Sequence, residues 1–121
     1  MSSAPRSISK PEPAWDPSIA ERLLSALGLT LTAVLSGSPG PDVVTGWASS
    51  TGSAPTDEQA RRMRLAVEVW DQLEESDGAD VARLWFLGAN PTLGDSSAVE
   101  AISQDRFHSV RAAAENFVLG G

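Results

Sequence analysis

Thr56-Asp57-Glu58-Gln59-Ala60-Arg61-Arg62-Met63-Arg64-Leu65-Ala66-Val67-Glu68-Val69-Trp70-Asp71-Gln72-Leu73 begins with a helix start signal and continues with a helical period. Thr56 and Gln59 have the spacing of a capping box, in which each side chain bonds the other's backbone amide. Asp57 and Glu58 put negative charge beside the unpaired amides of the first turn. Met63, Ala66, Val67, Trp70 and Leu73 stand at offsets of 3, 4, 7 and 10, so they share one face. Arg64 and Glu68, four apart, form a solvated pair that supports the helix slightly. A helix this long with an apolar face must be covered by other elements, and the rest of the chain offers only helices to do it.

On its N-terminal side, the segment from Ser49 to Pro55 has the composition of a loop. Before it, Asp16-Pro17 is an N-cap followed by proline at the first helical position, and Ile19, Leu23 and Leu27 recur at helical spacing. This predicts a first helix from about Asp16 to Ala26, closed by Gly28. Thr30 is expected to cap a second helix through Leu35, before Gly37-Ser38-Pro39-Gly40-Pro41 breaks the chain. A third, from about Asp42 to Ser49, carries Val43, Val44 and Trp47. Residues 1–15 read as a disordered Pro-rich tail that lacks the apolar centre of a secretory signal.

On the C-terminal side, Asp77-Gly78 ends the long helix, and Asp77 or Asp80 begins the next. Val81, Leu84 and Trp85 are expected on its buried face up to Gly88. Asn90-Pro91 forces a turn. Ser96 or Ser97 then caps a short helix with Val99 and Ile102. The last helix starts near Asp105, with Phe107, Val110, Ala114, Phe117 and Val118 on one face and His108, Arg111 and Glu115 on the opposite one. No alternating apolar run is long enough for a strand, so the fold class is all-α.

Composition narrows the function. The 121 residues include no cysteine, which removes thiol chemistry and Cys-based zinc sites. A hydrophobic fraction of 41% is ordinary for a globular chain, and no apolar run approaches the roughly 18 residues of a membrane span, so a soluble, cytoplasmic protein is expected. The formal net charge of −7 opposes a polyanion. His108 is the only histidine, and it belongs to a polar helix face, so a Ser/His/Asp triad has nowhere else to turn. Glu74-Glu75 and the pair Asp77 and Asp80 lack the ligand spacing of a calcium loop, and the glycines form no phosphate-cradling loop. These residues point to a binding protein, not an enzyme, with no metal and no cofactor. The four tryptophans, Trp15, Trp47, Trp70 and Trp85, read as core or staple residues.

Two stretches resemble one family. Leu84-Trp85-Phe86-Leu87-Gly88-Ala89-Asn90-Pro91-Thr92-Leu93-Gly94-Asp95-Ser96-Ser97-Ala98-Val99-Glu100-Ala101-Ile102 is similar to the opening of the C-terminal toxin-binding domain of Xre/MbcA/ParS-type antitoxins. In that motif a helical Trp precedes Asn-Pro-x-Leu-Gly and a capping Ser-Pro; Ser97 stands here where the family has Pro. By turn mechanics Asn90-Pro91 stops one helix, Leu93 plugs the core, Gly94 permits the return and Ser96 caps the next helix. Val43-Val44-Thr45-Gly46-Trp47-Ala48-Ser49, with the Pro55 loop and Glu58 to Arg64 after it, resembles the end of the family's helix-turn-helix.

The resemblance implies an Xre-like helix-turn-helix unit with a long connecting helix over residues 16–75, packed with a toxin-binding domain over 76–121. It implies an antitoxin that inhibits a cognate RES-domain, NAD⁺-degrading toxin by packing over its active-site entrance, with a homodimer or hetero-oligomer as the assembled form. Toxin contact falls to His108, Arg111, Glu115, Phe117, Val118, Leu119, Gly120 and Gly121. Operator DNA, if bound, falls to Thr45, Ser49, Ser50, Arg61, Arg62 and Arg64, although the recognition helix offers hydroxyls where base readout usually uses Arg, Lys, Asn or Gln. The alternatives are a transcriptional regulator or phage-type DNA-binding protein without a toxin partner, a helix-turn-helix kept only for packing or dimerisation, and an adaptor in a larger assembly.

Overall fold

The long helix stands at the centre of the computed structural model, which describes residues 14–120. Seven α-helices follow one another: α1 (Pro17–Leu27), α2 (Leu29–Ser36), α3 (Pro41–Trp47), α4 (Asp57–Asp77), α5 (Ala79–Leu87), α6 (Ala98–Ser103) and α7 (Phe107–Val118). A 3₁₀ turn, Pro91–Leu93, separates α5 from α6. There is no strand among the described residues, and no helix there is long and apolar enough to cross a membrane. The protein is all-α.

α4 spans 21 residues, about 30 Å at the helical rise. Its capping box forms as the spacing predicts: the Gln59 amide donates to Thr56 Oγ1 at 3.1 Å and the Thr56 amide to Gln59 Oε1 at 2.8 Å. One face, however, is not all that it buries. Leu65 and Val69 are as buried as Met63, Ala66, Trp70 and Leu73, while Val67 is only half-buried. A helix with core on two sides is an axis, and α4 touches α1, α2, α5, α6 and α7. Glu68, expected to pair with Arg64, also accepts from Arg111 of α7.

The short helices start differently from the prediction in two places. Asp16 caps α1 by accepting from the Ser18 amide, as expected. Thr30 does not cap α2: Gly28 ends α1 and begins α2 by itself, and Thr32 Oγ1 donates back to its carbonyl at 2.8 Å. Asp77 and Asp80 likewise yield to Gly78 as the N-cap of α5. In both, a glycine near φ 90° joins consecutive helices without an intervening loop. Residues 1–13 of the expected tail lie outside the described residues. Trp15, also assigned to the tail, packs against the core, and its indole Nε1 donates to the Trp47 carbonyl at 2.9 Å.

α2 lies against α6, so the N-terminal helices and the C-terminal ones close on each other. One cluster of buried apolar residues runs from Ala20 to Ala114 through both halves. Trp70, Phe86 and Trp85 form its aromatic centre, with ring centroids 6.0 and 5.6 Å apart across Phe86.

Candidate functional site

The segment Asn90 to Ser96 is a small closed loop whose hydrogen bonds are mostly its own. Asn90 Oδ1 accepts from the Thr92 amide at 2.9 Å, and its carbonyl accepts from the amides of Leu93 and Asp95 at 2.8 and 2.9 Å. The Asn90 amide in turn donates to the Ser96 carbonyl at 3.0 Å. Pro91 fits here because the first residue of a helical turn needs no amide. Leu93 is fully buried, and Gly94 takes φ 66°, the left-handed region that glycine enters without strain. Arg106 staples the loop to the start of α7 by donating from Nη2 to the Leu93 carbonyl at 3.0 Å. Ser97, not Ser96, caps α6 by accepting from the Glu100 amide at 3.1 Å; Ser96 Oγ faces Arg106 instead. The turn motif therefore builds a scaffold and spends its polar groups on itself.

What the scaffold presents is mixed, with aromatic side chains set among amides and a hydroxyl. Trp85, Asn90, Pro91, Thr92, Asn116 and Phe117 line a shallow concavity of about 240 Å³ between α5, the turn and the end of α7. Phe117 leans on Trp85, ring centroids 6.5 Å apart, yet is 39% exposed. Leu119 just beyond is 78% exposed. Val118 is half-buried against the core, Gly120 has φ 83°, and Gly121 lies outside the described residues.

α5 buries Trp85 as expected but differs from the expectation at Val81 and Leu84. Its buried face is Ala82, Trp85 and Phe86; Val81 and Leu84, expected inside, point outward with Leu87. Leu84 is 69% exposed and Leu87 47%. The signal was present in the sequence: Val81-Ala82-Arg83-Leu84-Trp85-Phe86-Leu87 is apolar nearly all round, and a helix with only one covered side must leave the other side of such a run bare.

His108, Arg111 and Glu115 are exposed on the polar face of α7, as predicted, and line a concavity of about 330 Å³ with Glu68, Gln72 and Ala112 of α4 and α7. Arg111 is held there by Glu68, with Nε to Oε2 at 3.0 Å and Nη2 to Oε1 at 3.3 Å. Those hydrogen bonds keep its guanidinium pKa above the ordinary value.

The residues considered for DNA are engaged in different places. Thr45 Oγ1 donates to the Pro41 carbonyl of its own helix at 3.4 Å, and the hydroxyls of Ser49 and Thr51 meet at 3.1 Å; Ser50 is exposed beside them. Arg62 is taken up by Asp105 and Ser36. Its Nε and Nη2 donate to Asp105 at 2.9 and 3.1 Å, and its Nη1 to the Ser36 carbonyl at 2.9 Å, so its donors are committed within the fold. Arg61 and Arg64 instead share a concavity with Arg111, the arginine assigned on resemblance to toxin contact. Among the described residues, no three His, Asp or Glu side chains come together as a metal-holding group.

No protein-family model matches this chain, and neither a curated protein nor a solved structure does.

Proposed function

We propose that the chain is an antitoxin of the Xre/MbcA/ParS type, which inhibits a cognate RES-domain, NAD⁺-degrading toxin by laying the end formed by α5, the Asn90 to Ser96 turn and α7 over the toxin's active-site entrance. The observation that carries this reading is that large apolar side chains stand exposed on the elements flanking that turn: Leu84 and Leu87 on α5, and Phe117 and Leu119 at the end of α7. Fully burying a leucine contributes about 1.5–3 kcal/mol, so these few side chains are adequate anchors for a stable interface. The polar neighbours His108, Arg111 and Glu115 supply the rim. The rival, a regulator that reads DNA without a toxin partner, has less to stand on, because Arg62 is spent inside the fold and the hydroxyls of Thr45 and Ser49 bond locally.

The test is co-expression with a neighbouring RES-type toxin, scored by growth rescue and co-purification. The point variants Leu119→Ser and Leu84→Ser should lose rescue while keeping the far-UV circular dichroism of the parent, and a chain stopped after Asn116 should lose rescue as well. Leu84 and Leu119 are exposed, so their replacement leaves the core intact. Full rescue by all three would sink the proposal. Tight, salt-dependent binding to upstream DNA by a chain that binds no toxin would favour the regulator instead.

A further inference from the structure

α4 presents Arg61, Arg64, Leu65 and Glu68, at offsets of 3, 4 and 7, toward Phe107 and Arg111, one turn apart on α7. These six residues line a concavity of about 260 Å³. Three guanidiniums and one carboxylate line it, with the Asp105 carboxylate acting on Arg61 from beside it, so cations outnumber acids there on a chain whose net charge is −7. Leu65 is buried and Phe107 half-buried, so the base of the concavity is apolar. Arg111 is not swung out at random: Glu68 takes its Nε and Nη2 edge and leaves Nη1 for another acceptor.

The geometry points to a binding site for an acidic, partly apolar segment of a protein partner, whose carboxylates are received by Arg61, Arg64 and Arg111 while its apolar side chains rest on Phe107. Arginine suits this task because its planar fork matches a carboxylate with two parallel hydrogen bonds. A nucleic-acid backbone fits worse. It needs a continuing track of cations, whereas the adjoining concavity has Arg111 as its only arginine and is lined by Glu68 and Glu115. The site lies on the α4 flank of α7 and shares no residue with the concavity at Trp85 and Phe117; it shares Arg111 alone with the rim of the proposed toxin surface, so Arg61 and Arg64 are the residues that tell the two readings apart.

The experiment is an NMR titration of the full chain that follows the arginine Nε–Hε signals. Three probes are compared: a hexapeptide alternating Asp and Leu, its counterpart with Asn for Asp, and a short DNA duplex. The acidic peptide should shift Arg61, Arg64 and Arg111 saturably, with affinity falling as salt is raised. Arg64→Gln and Arg61→Gln should each weaken it about 3- to 10-fold, and Glu68→Gln should tighten it by removing the competing carboxylate. Equal shifts with the Asn peptide, stronger shifts with the duplex, or no shifts with the acidic peptide up to about 5 mM would each overturn the assignment.

Discussion

Arg62 ties three parts of the chain together through one guanidinium. It reaches Asp105 with two donors and the Ser36 carbonyl with a third, and Ser36 is the last residue of α2, where the helix dipole is negative. Asp105 itself takes φ 63°, a conformation that a side chain other than glycine holds only with support. The Arg62 hydrogen bonds keep the Asp105 carboxyl below its ordinary value of 3.8. A carboxyl lowered on folding contributes stability above its unfolded value and loses it as pH falls through the folded one. Asp105→Asn should therefore lower stability at neutral pH and flatten the acid limb below about pH 4, as followed by circular dichroism. Arg62→Ala should cost roughly 1–2 kcal/mol in urea denaturation, since the ion pair is exposed on one side and the bond to Ser36 half-buried. An unchanged midpoint would contradict this role. In the sequence Arg61, Arg62 and Arg64 look interchangeable. Each residue turns a helix by about 100°, and only the neighbours decide which guanidinium becomes structural.

Helices were the legible level. Thr56 with Gln59, Asp16 with Pro17, and Ser97 before Ala98 act over three residues or fewer, so their chemistry is local and their sequence signature sufficient. Thr56→Ala should remove one half of the α4 capping box and lower stability by about 1 kcal/mol in chemical denaturation, with no change in the bound state of any partner. A loss below measurement error would mean that packing alone holds the start of α4. α5 marks the limit of this level. Its period is compatible with burying Val81 and Leu84 or with burying Ala82 and Phe86, and the choice fell to the second because Phe86 meets Trp70 while Trp85 meets Phe117. The loop before α4 shows the same limit. A side chain at Gly52 would stand 2.0 Å from the Gly46 carbonyl, a contact between loop and α3 that no local pattern announces.

In the whole molecule, a single apolar cluster joins residues from Ala20 to Ala114, and α2 packs on α6 across the proposed boundary between residues 75 and 76. Urea unfolding should accordingly be one cooperative transition, with tryptophan fluorescence and far-UV circular dichroism superimposing. Two separated transitions would show that the halves are independent. The all-α class, seven helices in order, the caps of α1, α4 and α6 and the Asn90 to Ser96 turn were legible in the amino-acid order alone, because these follow from hydrogen bonds and periodicities within four residues. That order also marked His108, Arg111 and Glu115 as an outward polar face. Tertiary structure decided the rest: that α4 is buried on two sides, that Leu84 is bare, that Arg62 is committed to the fold, and that Arg61, Arg64 and Arg111 meet over Leu65. Those outcomes depend on how side chains of distant segments fit across the core and so on the angles at which helices cross, and a period of 3.6 residues carries no information about either.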